Sequence, residues 1–152
     1  MKYSFVSHSE KETRDFAAFL AHKLKVGDIV LLSGDLGAGK TTLVGGFLNE
    51  LGYKYHVISP TFNILKCYFE VNPPVYHIDA YRLEGENIDI GLEEYIEGNG
   101  ICFIEWPIFI ESIIPSKTLS VVINRIDDNT RNITVESNYY DDLINELSKE
   151  VK

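Results

Sequence analysis

Only two cysteines, one methionine and one tryptophan occur among the 152 residues, and four of the 14 basic residues are arginines. Cys67 and Cys102 lie far apart and share no metal-ligand spacing with the four histidines. A disulfide scaffold and a zinc site are both excluded, and buried free thiols of a reducing compartment are expected. Long apolar runs are missing as well. The longest, such as Ile29 to Leu32 and Ile101 to Ile104, fall far short of the roughly 20 residues a bilayer span needs. Met1 to Phe5 carries no apolar secretory core, so a cytoplasmic protein is expected. Positive charge is scarce: 14 Lys+Arg stand against 23 Asp+Glu, a net charge of −9. That argues against a broad basic face for nucleic acid, because such affinity comes from Lys and Arg displacing phosphate counterions. What remains is a chain with 45% hydrophobic residues and no repeat or linker. It reads as a single domain over residues 1–152, large enough to bury roughly 70% of its unfolded surface.

Ser9-Glu10-Lys11-Glu12 is a capping-box pattern, and Phe16, Ala17, Leu20, Ala21 and Leu24 follow at helical spacing, predicting a helix over 9–24. Ile29 to Leu32 is apolar without alternation, as in a strand covered on both faces. A glycine loop comes next. From Thr41 the period is helical again through Leu43, Val44, Phe47, Leu48 and Leu51, and Gly52 stands where a helix ends. Residues 62–70 and 75–82 read as one hairpin across Asn72-Pro73-Pro74, and 118–126 with 130–135 as a second across Asp127-Asp128-Asn129. Residues 84–97, with Glu84, Glu86, Asp89, Glu93, Glu94 and Glu97 around Ile88, Leu92, Tyr95 and Ile96, read as an acidic, short-helical surface segment. A final helix carries Leu143, Ile144, Leu147 and Val151 on one stripe.

Gly34-Asp35-Leu36-Gly37-Ala38-Gly39-Lys40-Thr41 matches the Walker A pattern. Glycine at its ends lets consecutive backbone N–H groups turn inward around phosphate oxygens, and the following helix aims its N-terminus at the same anion. Lys40 is expected to reach the β/γ-phosphates and the Thr41 hydroxyl to hold Mg²⁺. An ordinary glycine turn fits less well, because a strand precedes the loop and a helix follows.

Hydrolysis further needs a carboxylate at the end of a neighbouring strand and a group that senses the γ-phosphate. Glu105 ends the unbroken strand Ile101 to Ile104 and is the favoured metal or water-positioning acid; Asp79, after Tyr76-His77-Ile78, is the alternate. Thr61, in the turn Ser59-Pro60-Thr61-Phe62, is the best placed hydroxyl for a switch. Trp106 either packs in the core, the commoner fate, or covers the nucleotide. His77 lacks a second ligand partner and reads as structural. Arg82 and Arg131 have two readings, neutralising phosphate charge or pairing with the acidic segment at the surface, and the second is the favoured expectation.

Taken together, the glycine loop with Thr42, Ser59-Pro60-Thr61-Phe62, Tyr76-His77-Ile78-Asp79-Ala80-Tyr81-Arg82-Leu83, Gly91-Leu92-Glu93-Glu94-Tyr95 and Ile104-Glu105-Trp106-Pro107 closely resemble the bacterial TsaE ATPases across most of the chain. The resemblance implies a small cytoplasmic ATPase required for N6-threonylcarbamoyladenosine (t6A) at position 37 of tRNAs reading codons that start with A. It also implies docking on a TsaB–TsaD heterodimer, so that tRNA is met only through the complex. By the same resemblance Asp35, Leu36, Gly37, Ala38, Gly39, Lys40, Thr41, Thr42 and Trp106 would hold ATP. Thr41, Asp79 and Glu105 would hold Mg²⁺, and Thr61 would be the switch threonine. Gly45 stands where many relatives carry a basic residue.

The expected fold is α/β, a three-layer P-loop NTPase domain with a mainly parallel central sheet and antiparallel hairpin additions. Trp106, not a second acid, follows Glu105, and no arginine lies near the loop in sequence, so hydrolysis by the protein alone is expected to be slow. A small-molecule kinase would need a cationic lid, for which only Arg82, Arg125 and Arg131 follow the loop, and a GTPase would need an Asn-Lys-x-Asp loop that is missing. An assembly factor that hydrolyses ATP only incidentally is the rival outside enzymology.

Overall fold

The computed structural model of the chain describes residues 1–35, 37–60, 63–85 and 91–151. Strands β1 (Lys2–Ser7), β2 (Ile29–Gly34), β3 (Leu65–Tyr68), β4 (Val75–Asp79), β5 (Ile101–Glu105), β6 (Leu119–Arg125) and β7 (Arg131–Glu136) form one sheet. Its order is β1-β7-β6-β2-β5-β4-β3. The four middle strands β6, β2, β5 and β4 run parallel. The outer pairings β3/β4 and β6/β7 are antiparallel, as the two expected hairpins require, and β1 adds antiparallel to β7. Every residue of β4 and of β5 is buried, the pattern of strands covered on both faces.

Helices α1 (Glu10–Lys23), α2 (Lys40–Glu50) and α4 (Asp141–Glu150) cover one face, where Phe16, Leu20, Phe47, Leu48, Ile144 and Leu147 meet Val30, Leu32, Phe103 and Val121. On the other face, helix α3 (Glu93–Ile96) and two 3₁₀ helices, Tyr81–Leu83 and Pro107–Ile113, pack Leu83, Ile96 and Ile110 against Ile29, Ile78 and Ile104. The third layer is therefore thinner than expected. It lies over β2, β5 and β4, whereas on β1 and β7 the same face leaves Val6 40% exposed and an exposed hydroxyl contact between Ser4 and Thr134.

Local sequence explains the ends of the helices. Ser9 accepts a hydrogen bond from the Glu12 backbone N–H at 3.1 Å, which satisfies one of the donors a helix start leaves open, and the Glu12 carboxylate reaches back to the His8 N–H at 2.8 Å, fixing the residue before the cap. Gly52, at φ +100°, ends α2. Its N–H and that of Tyr53 donate to the carbonyls of Asn49 and Leu48 at 3.0 Å each, the two bonds of a Schellman motif.

The structure adds one element, shortens one hairpin and keeps the anchors of the acidic segment. Residues 1–8 carry no strong pattern, yet 2–7 form β1, because Phe5 and Ser7 point inward while the backbone pairs with β7. The first hairpin is shorter than 62–70 and 75–82: the chain turns into a 3₁₀ helix at Tyr81, and the Asp79 carboxylate accepts the Tyr81 N–H at 3.0 Å. In the acidic segment Leu92 and Ile96 are the buried anchors; Glu86, Ile88 and Asp89 fall outside the described residues. Leu36, Thr61 and Phe62, named above for the glycine loop and the switch turn, fall outside them as well.

Candidate active site

The glycine loop leaves β2 at Gly34 and enters α2 at Lys40, at the carboxyl edge of the parallel strands, where α/β sheets place their ligands. Two of its glycines are forced. A Cβ on Gly34 would lie 2.0 Å from the Ile123 carbonyl oxygen, since β2 and β6 pair at that level. Gly39 caps α2 at φ +110°, a left-handed conformation that costs little only without a side chain. Ala38 is fully buried, with its N–H on the Asp35 carbonyl at 3.0 Å, so its methyl anchors the loop from beneath.

Two carboxylates end neighbouring strands side by side, Asp79 on β4 opposite Glu105 on β5 in the parallel register. Both point to the α2 face and are buried, at 5% and 4% exposure. The Lys40 ammonium donates to the Gly34 carbonyl at 2.9 Å, lies 3.4 Å from Glu105 Oε1 and sits 5.6 Å from the centre of the Trp106 ring. His77 is fully buried, and its Nε2 lies 2.6 Å from Glu105 Oε2. With Oε2 occupied, Glu105 presents Oε1 to the site. Burial works to raise the Glu105 pKa, but the hydrogen bond and charge of His77 together with Lys40 outweigh it and hold the carboxyl below its ordinary range. At neutral pH it is an anion beside a cation.

Trp106 does not take the usual core position. Its backbone is left-handed at φ 56°, a strained choice for a bulky residue, and the ring is 40% exposed over Lys40. It stacks on Phe109 and meets Tyr81 at centroid distances of 5.9 and 5.0 Å. The Tyr81 and Trp106 rings form one wall of a cleft of about 960 Å³, within the range of small-molecule sites. Asp35, Gly37, Gly39, Lys40, Thr41 and Thr42 line its floor, with Asp79 and Glu105 beside them. Thr42 also donates to Glu10 at 3.4 Å.

The opposite wall was not legible in the sequence. It consists of Ser9, Glu10 and Thr13 at the start of α1 and Asp128, Asn129 and Arg131 at the β6–β7 turn. The capping box and the Asp-Asp-Asn turn signalled local structure only. The expectation that Arg131 pairs with the acidic segment is overturned. Its guanidinium lies against the glycine loop, donating to the Ala38 carbonyl at 2.8 Å and the Gly37 carbonyl at 3.4 Å.

No group of three or more His, Cys, Asp and Glu side chains that could hold a metal occurs among the described residues. The oxygen donors present, the Thr41 hydroxyl and the Asp79 and Glu105 carboxylates, instead suit a hard ion that keeps waters and shares itself with phosphate, as Mg²⁺ does. Among the described residues no helix is long and apolar enough to cross a membrane.

Comparison with known proteins agrees with this arrangement. The family model described as "Threonylcarbamoyl adenosine biosynthesis protein TsaE" matches residues 7–133. The tRNA threonylcarbamoyladenosine biosynthesis protein TsaE of Bacillus subtilis (strain 168) is 45% identical over 141 residues, covering 91% of this chain and 89% of its own. The protein of the same name from Rickettsia typhi is 41% identical over 127 residues, with 82% and 88% covered. The crystal structure of Bacillus subtilis YdiB superposes with a TM-score of 0.83 at 38% identity, covering 99% of this chain and 96% of that one. Motifs, fold and relatives converge: this chain belongs to the TsaE family, whose named members serve tRNA threonylcarbamoyladenosine biosynthesis.

Proposed function

We propose that this protein is a Mg²⁺-dependent P-loop ATPase and the accessory component of the cytoplasmic machinery that forms t6A at position 37 of tRNAs reading codons that start with A. It docks on a TsaB–TsaD heterodimer and meets tRNA only through that complex. The observation that carries the reading is the junction of β2, the Gly34–Gly39 loop and Lys40 with Glu105, at the carboxyl edge of the parallel strands.

In this reading the backbone N–H groups of the loop and the α2 N-terminus receive the phosphates. Lys40, already desolvated to 10% exposure, exchanges its partners for β/γ-phosphate oxygens. Thr41 with Asp79 or Glu105 would hold Mg²⁺, which supplies neutralisation of the phosphate charge when bound. Glu105, kept anionic, orients the attacking water through Oε1 while His77 fixes Oε2. Water adds to the γ-phosphorus, the bond to the bridging oxygen breaks, and ADP and phosphate leave. Trp106 and Tyr81 shield that side, and Thr61 is the proposed switch hydroxyl. The nucleoside then extends toward Ser9 and the β6–β7 turn.

Hydrolysis by the protein alone is slow in this account. Lys40 is one of only two basic side chains lining the cleft among the described residues, and the other, Arg131, is engaged by backbone carbonyls. A partner would complete the charge stabilisation. Calorimetric titration with Mg-ATP, together with phosphate release, tests the reading. Lys40→Ala should abolish both, and Glu105→Gln should keep binding while hydrolysis falls roughly 100-fold or more. Wild-type protein that takes up no nucleotide would end this interpretation.

A further inference from the structure

Arg131 begins β7, 93 positions after Ala38, and its guanidinium donates to four backbone carbonyls, with the negative charge of Asp127 beside it. Nε donates to the Ala38 carbonyl at 2.8 Å and Nη2 to the Gly37 carbonyl at 3.4 Å. Nη1 donates to the Asp127 carbonyl at 2.6 Å and the Thr130 carbonyl at 3.1 Å. Guanidinium has five N–H donors, so four acceptors from two separate segments nearly saturate it. The turn it grips is itself braced, because Asp127 Oδ1 accepts the N–H groups of Asn129 and Thr130 at 2.9 Å each.

We propose that Arg131 is a positioning residue: it holds the Ala38–Gly39 peptide plane in the anion-receiving orientation, braces the Gly37–Ala38 peptide whose N–H closes the turn onto Asp35, and joins the loop to the β6–β7 turn as one body. The inference rests on the nucleotide-binding reading of the loop. In a trans peptide the C=O and the following N–H point in opposite directions. Fixing the Ala38 carbonyl therefore fixes where the Gly39 N–H points, and fixing the Gly37 carbonyl does the same for the Ala38 N–H, which donates to Asp35. Both peptides adjoin glycines with positive φ, Gly37 at 77° and Gly39 at 110°, where the backbone is freest to rotate. Arg131 removes that freedom before the ligand arrives. A loop that is only fractionally in the competent form binds more weakly by that fraction.

The test uses Arg131→Ala and Arg131→Lys in the full chain, with Mg-ATP and Mg-tripolyphosphate as calorimetric probes and amide hydrogen exchange of residues 37–40 measured without ligand. The expected result is affinity reduced by the same factor for both probes, about tenfold or more, with faster exchange at Ala38 and Gly39 and an intact global fold. Arg131→Lys keeps the charge but not the fork. It should recover only part of the loss, and it carries the test if the alanine variant does not fold. Unchanged exchange and unchanged affinity would overturn the proposal. So would weakened ATP with unaffected tripolyphosphate, which would put Arg131 on the nucleoside itself. Wild-type protein that binds neither probe would defeat the nucleotide reading alone, and the exchange data would still decide whether Arg131 holds the loop.

Discussion

Replacing His77 should disable Glu105 without emptying the cleft. The imidazole is fully buried and Glu105 is 4% exposed, so no water can take over the 2.6 Å contact. A hydrogen bond to a charged group contributes about 1.5–3 kcal/mol, and His77→Phe should lower stability at pH 7 by an amount of that order. Loss of that bond also raises the Glu105 pKa, because burial then opposes the charge with Lys40 as the main remaining counterweight. In the wild type the folded-state pKa is depressed, so its contribution is present above the unfolded value and is lost as pH falls through the folded one. Urea unfolding of both proteins at pH 7 and near pH 4 should accordingly give curves that converge in acid. In single-turnover hydrolysis the acid limb of the variant should move upward, with Mg-ATP affinity changed little. His77→Gln, whose amide places a donor near the position of Nε2, should recover much of both effects. Equal stability of wild type and His77→Phe at pH 7, with superimposable pH profiles, would refute the reasoning.

Gly34→Ala should be far worse than an ordinary surface change. A Cβ 2.0 Å from the Ile123 oxygen forces β2 and β6 apart where the loop begins, so a loss of at least about 3 kcal/mol and of nucleotide binding is expected by denaturant titration and calorimetry. The net charge of −9 and the acidic α4, with Asp141, Asp142, Glu146 and Glu150, predict that the proposed docking on a TsaB–TsaD heterodimer weakens as salt rises. Binding kinetics between 50 and 500 mM salt should show the change mainly in the association rate; a salt-independent rate would contradict an electrostatic approach.

What the sequence made legible was local. The Ser9 cap, the Gly52 stop, the unalternated runs of β2 and β5 and both hairpins each carry their cause within a few residues. The glycine loop, Glu105 and Asp79 were legible for a related reason: a strand end delivers its last side chain to the sheet edge whatever lies elsewhere. Long-range pairings were not legible. β1 depends on β7, over a hundred residues away, and Phe5 with Ser7 is too short an alternation to announce it. His77 looked structural because its partner lies 28 positions on, and the register that aligns β4 with β5 is not written in either strand alone. For Arg131 a phosphate role ranked below surface pairing, because its actual partners are backbone carbonyls, which any sequence offers.

The central claim, an ATPase whose turnover supports t6A formation, is tested most directly in cells depleted of this protein and resupplied with variants. The measurement is t6A in hydrolysed tRNA by mass spectrometry. The account predicts that wild type restores the nucleoside whereas Lys40→Ala and Glu105→Gln, expressed at equal levels, leave it depleted. Full restoration by Lys40→Ala would contradict it.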